Sequence, residues 1–88
     1  MNYEFAKSLS GHDKGKIYLI WKKEGRLAYL VDGTVRTMAS PKKKNEKHYQ
    51  IVKHIPEDIT ERLKEKQPLT DDSIRRAVRA YEQTLNHK

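Results

Sequence analysis

Glycines separate short strand-like runs in the first half of this 88-residue chain, and their placement constrains the fold more than any other feature. Gly11 and Gly15 bound a charged turn, and Gly25 and Gly33 stand in two later turns. Glycine adopts the positive φ angles of tight turns without steric cost. The runs between these turns are rich in β-branched and aromatic residues, which suit a pleated, half-buried surface. The pattern therefore predicts short strands joined by hairpins.

The alternation of apolar and polar residues places these strands. Ile17, Leu19 and Trp21 share one strongly apolar face of the second strand, and Asp32-Gly33 is a strong hairpin signal before the fourth. Val35 and Met38 are the buried residues expected in that fourth strand. The predicted strands lie at residues 5–9, 16–21, 26–31, 34–38 and 47–53.

A basic segment at residues 40–45, Ser-Pro-Lys-Lys-Lys-Asn, interrupts the alternation. Pro41 cannot donate a hydrogen bond to a neighbouring strand, and three adjacent lysines are not expected inside a protein. The segment is therefore predicted to be an exposed loop. Five short strands in about fifty residues suit a small closed or nearly closed barrel, which also limits exposed sheet edges.

The period of the apolar residues changes at Pro56, where two helices are expected. The first follows Pro56 and buries Ile59 and Leu63; the second begins at Thr70 or Asp71. The second helix carries one apolar stripe, which is expected to pack on the barrel or, alternatively, on a dimer partner. This predicts a barrel over residues 1–55, a helical extension packed on it over residues 56–88, and a monomer. The stripe consists of Ile74, Ala77, Val78, Tyr81 and Leu85.

Composition limits the function. The formal net charge is +7, which favours polyanionic partners, and the absence of cysteine excludes disulfides, thiolate zinc sites and cysteine nucleophiles. The apolar fraction of 35% leaves little core from which to build a deep pocket, so we expect no enzyme. The four histidines lack metal-ligand spacing, so no metal site is expected. No segment looks like a signal peptide or a membrane span, which predicts a cytoplasmic protein.

The segment Ala-Lys-Ser-Leu-Ser-Gly-His-Asp-Lys-Gly at residues 6–15, followed by the apolar strand at 17–21, resembles the KOW motif. Residues 31–36, 40–44, 47–48 and 69–77 extend the likeness to the small bacterial KOW-domain RNA-binding proteins. Those proteins are related to the KOW-containing large-subunit ribosomal proteins of archaea and eukaryotes. One residue departs from the family pattern, because the position of His12 is usually arginine, and a neutral histidine would meet a phosphate only weakly.

The resemblance implies a mainly β protein with a C-terminal α part: a small five-stranded Src-homology-3-like barrel followed by one or two helices. It also implies RNA binding without a cofactor. The expected partner is ribosomal or other structured RNA, with the ribosome as a further candidate, in a ribosome-associated or translation-related role.

The candidate RNA-contacting residues lie in the glycine-bounded turn and in the basic segments after it. The turn could instead merely close the barrel, and the lysine loop could be a solvated surface. Arg36 could bind phosphate or form an ion pair with Asp32 or Glu24. Tyr18 is the candidate for base stacking, because it lies on the mixed face of its strand. The candidates for RNA contact are Gly11, His12, Lys14, Lys16, Arg36, Lys42, Lys43, Lys44, Lys47 and His48.

Two classes of function remain open at this point. RNA binding predicts a salt-sensitive affinity that is lost when Lys42, Lys43 and Lys44 become glutamate. A protein–protein interaction module of the transcription or translation machinery predicts binding to a specific partner that persists at higher salt and in the triple glutamate variant. Double-stranded DNA is a weaker candidate, because no helix has a basic recognition face.

Overall fold

The computed structural model describes residues 3–86 and shows a five-stranded antiparallel sheet, curled into a half-barrel and followed by two helices. The predicted architecture of a small barrel followed by helices is thus confirmed. The elements are β1 (Glu4–Ser8), β2 (Ile17–Glu24), β3 (Leu27–Val31), β4 (Lys42–Asn45), a 3-10 turn (Glu46–His48), β5 (Tyr49–Ile51), α1 (Glu57–Glu65) and α2 (Asp71–Asn86).

The strands are arranged in the order β4-β3-β2-β1-β5, so β4 and β5 form the two edges of the curled sheet. β2 and β3 form a hairpin whose turn holds Gly25 at a φ of +57°, as the glycine spacing predicted. β1 and β2 are joined by the loop at residues 9–15. Its base is closed by the Ser8 amide, which donates to the Lys16 carbonyl at 2.9 Å, and by the Gly15 amide, which donates to the Ser8 carbonyl at 2.8 Å.

The sheet buries apolar residues on both faces. Its concave face holds a compact inner cluster, and its convex face packs against α1 and α2. The apolar stripe of α2 thus packs within the chain, although Leu85 at its end remains 54% exposed. The inner cluster consists of Ala6, Tyr18, Ile20, Ala28, Leu30 and Tyr49, and the outer one of Phe5, Ile17, Leu19, Val31, Ile59, Leu63, Ile74, Ala77, Val78 and Tyr81.

The predicted strand at residues 34–38 is wrong. The Asp32 carboxylate accepts hydrogen bonds from the amides of Thr34 and Arg36, both at 2.9 Å, and folds this segment into a compact turn. A side chain that satisfies nearby backbone amides competes directly with ladder pairing. Val35 is therefore 74% exposed rather than buried, whereas Met38 packs against the outer cluster as expected.

The lysine segment was also assigned wrongly, because it is a strand and not an exposed loop. β4 pairs with β3 through the register Ala28↔Lys44 and Tyr29↔Lys43. Alternation along the strand sends successive lysines to opposite faces, and Lys44 is only 9% exposed. The strand predicted at residues 47–53 is reduced to β5, because the 3-10 turn occupies its first part.

Trp21 is not buried with Ile17 and Leu19, the residues with which the sequence grouped it. The pairing of β2 with β3 shifts between Ile20↔Leu30 and Lys22↔Tyr29, so Trp21 is the extra residue of a β-bulge. Its side chain is 40% exposed, in contrast to the fully buried Leu19 two residues earlier.

Both helices form where the sequence predicted them. Thr70 caps α2, because its hydroxyl accepts from the Ser73 amide at 3.1 Å and the Ser73 hydroxyl accepts in turn from the Thr70 amide at 3.0 Å. Gly33 lies so close to the start of α2 that a Cβ atom would sit 2.6 Å from the Arg75 amide nitrogen. Over residues 3–86, neither helix is both long enough and apolar enough to cross a membrane.

Candidate nucleic-acid interface

Asp13 is the centre of a largely buried polar network in the loop between β1 and β2. Its carboxylate accepts four hydrogen bonds: from the Ser8 hydroxyl at 2.9 Å, the Tyr18 hydroxyl at 2.7 Å, Lys42 Nζ at 2.9 Å and Lys44 Nζ at 3.0 Å. The donors come from β1, β2 and β4. Asp13 therefore ties the loop to three strands and points into the protein.

The network changes the ionisation of its members. Burial by itself would raise the pKa of Asp13, but the hydrogen bonds from Tyr18, Lys42, Lys44 and Ser8 outweigh it and hold that pKa well below its usual range. Burial and the hydrogen bond to Asp13 raise the pKa of Tyr18 above its usual value. Asp13 is thus an anion, and Tyr18 a neutral donor, across the ordinary pH range.

Two of the three adjacent lysines are therefore not available to RNA. Lys44 Nζ also donates to the Ser8 hydroxyl at 2.7 Å and to the Ser10 carbonyl at 2.9 Å. Lys42 is half-buried against Asp13. Replacing all three lysines with glutamate would place carboxylates beside Asp13 and test the fold rather than RNA contact.

Tyr18 is not an exposed stacking residue. It is 2% exposed, its ring belongs to the inner cluster, and its hydroxyl is bonded to Asp13. The face of β2 that looked mixed in the sequence is the concave interior of the half-barrel.

Lys16 is likewise engaged within the protein, because its Nζ lies 2.6 Å from the Asp32 carboxylate. Burial would raise the pKa of Asp32, but the bonds from Lys16 and from the amides of Thr34 and Arg36 lower it. Arg36 interacts with Asp32 through its backbone; the residue is half-buried, and its side chain forms no salt bridge within residues 3–86.

The remaining candidates lie on two segments that are joined to each other. The Leu9 amide donates to the His48 carbonyl at 2.8 Å, which joins the loop at residues 9–15 to the 3-10 turn. Lys44 also holds this loop in place, because its Nζ donates a hydrogen bond to the Ser10 carbonyl. The side chains left exposed on these two segments are His12, Lys14, Lys47 and His48, which we call the loop cluster.

The loop cluster keeps its charge available. Neither Lys14 nor Lys47 forms a salt bridge with any residue in the described part of the chain. Gly11 has a φ of +87°, which lets the loop reverse beside Asp13 and present Lys14 outward. An exposed set of unpaired cations on a rigid loop is suited to binding phosphate oxygens.

Two arginines of α2 are engaged within their own helix. Arg75 and Arg76 both pair with Asp72, the latter at 3.1 Å. The single carboxylate of Asp72 therefore offsets part of their positive charge.

Sequence reasoning missed the role of Asp13 and two aromatic residues at the surface, the exposed Trp21 and the half-buried Tyr29. No local pattern indicated either, because both depend on pairing and contacts between strands.

Comparisons with known proteins add no assignment: no family model matches the sequence, and no curated protein gives a significant match.

Proposed function

We propose that this protein binds RNA, using the loop cluster to contact phosphate oxygens. The observation that carries the proposal is the junction of the loop at residues 9–15 with the 3-10 turn. It joins the two segments that carry Lys14 and Lys47, two exposed lysines without carboxylate partners among the described residues. The net charge of +7 and the resemblance to KOW-domain RNA-binding proteins support the same conclusion.

The network around Asp13 explains how such a surface is kept in place. Ordering a flexible loop on binding costs free energy, and a loop that is already fixed avoids that cost. Here Asp13 and Lys44 fix the loop to β1, β2 and β4. The buried Asp13 and Lys44 therefore fix the loop that carries the exposed Lys14, a difference between the lysines that the sequence alone did not reveal.

Phosphate contacts carry little sequence information, so we expect modest sequence specificity and a preference set by RNA shape. A role on ribosomal or other structured RNA in the cytoplasm, in translation or at the ribosome, is the context we propose for this binding. The proposal involves no cofactor and no catalytic step.

The test is fluorescence anisotropy with a labelled structured RNA at several salt concentrations. The variant Lys14→Glu/Lys47→Glu is compared with Lys64→Glu/Lys66→Glu, which makes the same change in net charge at the far end of α1. Loss of two phosphate contacts is expected to reduce the salt slope by about 1.4 to 1.8, with a large drop in affinity for the first variant alone.

An equal loss of RNA affinity in both variants would mean that binding depends only on nonspecific electrostatic attraction, and it would contradict the assignment of the loop cluster. No binding by the folded wild-type protein would refute RNA binding itself, and the protein–protein interaction module would then be the function to pursue.

A further inference from the structure

A second exposed surface lies on the convex face of the sheet, away from the helices. Trp21 follows Ile20 and Tyr29 lies between Ala28 and Leu30, and all three of these neighbours belong to the inner cluster. Alternation therefore directs Trp21 and Tyr29 to the convex face. Helices α1 and α2 cover the rest of that face but leave Trp21 40% exposed and Tyr29 half-buried.

Two lysines lie over the ring of Tyr29. Lys22 Nζ lies 5.3 Å from the centre of the Tyr29 ring, and Lys43 Nζ lies 5.6 Å from it. Lys43 is the middle lysine of β4, the one that alternation turns away from Asp13. The surface thus combines two aromatic rings with two ammonium groups on paired strands.

The β-bulge is the feature that builds this surface. Because Trp21 is the extra residue between Ile20↔Leu30 and Lys22↔Tyr29, Trp21 and Lys22 together oppose Tyr29. Without the extra residue, the second half of β2 would reverse its faces, and Lys22 would point towards the interior. The bulge therefore places a large aromatic side chain and a lysine beside the same tyrosine.

The charges on this surface favour an anionic, stackable ligand. Lys22 lies 3.2 Å from Glu24 and is partly neutralised, whereas Lys43 forms no salt bridge within residues 3–86. Aromatic faces beside cations accept unpaired bases, because the ring stacks on the base while the ammonium group contacts the adjacent phosphate. A duplex offers no such access, since its bases are stacked on each other.

We infer that Trp21, beside Tyr29 and the lysines Lys22 and Lys43 over its ring, forms a stacking surface for unpaired RNA bases. The inference rests on the proposed RNA binding and adds to it: the loop cluster holds phosphates of any RNA, whereas this surface selects single-stranded segments such as loops and bulges.

Trp21 reports on its own contact, because it is the only tryptophan in the chain. An oligouridylate of about eight nucleotides is expected to quench its fluorescence on binding, and a blunt RNA duplex of similar length is not. With fluorescently labelled RNA, Trp21→Ala is expected to weaken single-strand binding about 5- to 150-fold and to leave duplex binding unchanged.

Two further variants separate stacking from a loss of structure. Trp21→Phe keeps an aromatic ring and is expected to remain within a few-fold of the wild type for single strands. Leu85→Ala removes another exposed apolar side chain, from α2, and should change the binding of neither RNA. Far-UV circular dichroism of each variant confirms that it is folded.

The outcomes distinguish this inference from the function on which it rests. Salt-dependent binding of both RNAs with no effect of Trp21→Ala would overturn the stacking surface and leave RNA binding intact. Binding of neither RNA by the wild type would overturn both. Quenching by single strands only, lost affinity in Trp21→Ala and retention in Trp21→Phe would establish the surface.

Discussion

The buried carboxylate of Asp13 should be a main determinant of stability, and Asp13→Asn tests this directly. The change removes the negative charge but nearly preserves the size of the side chain. It leaves the ammonium group of Lys44, which is 9% exposed, without its countercharge. Breaking a buried ion pair by removing one partner costs about 3 to 5 kcal/mol.

The lower end of that range applies here. Lys44 keeps two other acceptors, the Ser8 hydroxyl and the Ser10 carbonyl, and the Asp13 side chain is 11% exposed. We therefore expect a loss of about 3 kcal/mol at pH 7. Stability of about 0.05 to 0.15 kcal/mol per residue would give a chain of this length about 4 to 13 kcal/mol in total, so the loss is a large fraction.

The pH dependence follows from the lowered pKa of Asp13. A carboxyl whose pKa is lower in the folded than in the unfolded protein stabilises fully above its unfolded pKa, and this stabilisation is lost as the pH falls below it. The difference in unfolding free energy between wild type and Asp13→Asn should therefore narrow below about pH 4, by about 1.4 kcal/mol for each pH unit.

Urea denaturation followed by far-UV circular dichroism at several pH values measures this difference. With a slope of about 1.5 kcal/mol/M, the midpoint should fall by about 2 M at pH 7. The control Glu61→Gln removes one exposed charge from α1 and should stay within about 0.5 kcal/mol of the wild type. An Asp13→Asn variant as stable as this control, or a difference that does not change with pH, would refute the reasoning.

Three smaller changes test other contacts. Gly33→Ala forces a Cβ atom against the start of α2 and should lower the unfolding free energy by more than about 2 kcal/mol in urea denaturation. Gly15→Ala, at a similar φ but facing open space, should lower it by about 1 kcal/mol. Equal losses in the two variants would contradict the close packing of Gly33. Thr70→Ala removes the cap of α2 and should lower the unfolding free energy by about 1 kcal/mol, and an unchanged value would exclude a stabilising cap. Glu24→Gln removes the salt bridge to Lys22 and should raise RNA affinity about two- to fivefold in an anisotropy titration. A decrease would contradict the expectation that the Glu24 carboxylate weakens phosphate binding here.

The parts of the fold that depend on local sequence could be predicted. Gly25 supplies the left-handed residue of its hairpin, and the apolar stripe of α2 follows from helical spacing alone. These signals lie within a few residues of the structure that they specify. The general architecture followed from them.

The misplaced elements depended on competition or on contacts distant in sequence. At residues 34–38, the bonds from Asp32 to backbone amides override the strand-forming composition. The burial of Lys44 requires a carboxylate 31 positions earlier, which no local pattern reveals. The exposure of Trp21 depends on the register between two strands, because a bulge is a property of the pair and not of either sequence.

Only part of the candidate site could therefore be predicted from the sequence. The sequence correctly indicates that cations are abundant near the glycine-bounded turn, but not which of them are neutralised. Charge counting treats Lys43 and Lys44 alike, whereas the structure places one in solvent and the other against Asp13.

The most direct test of RNA binding is a titration of the ¹⁵N-labelled protein with a structured RNA that contains an unpaired loop, followed by two-dimensional NMR. The account predicts shifts in the amides of residues 9–15 and 46–48 and in the single Trp21 indole signal, with the amides of α1 unchanged. Shifts confined to the helices, or no shifts at an RNA excess, would contradict it.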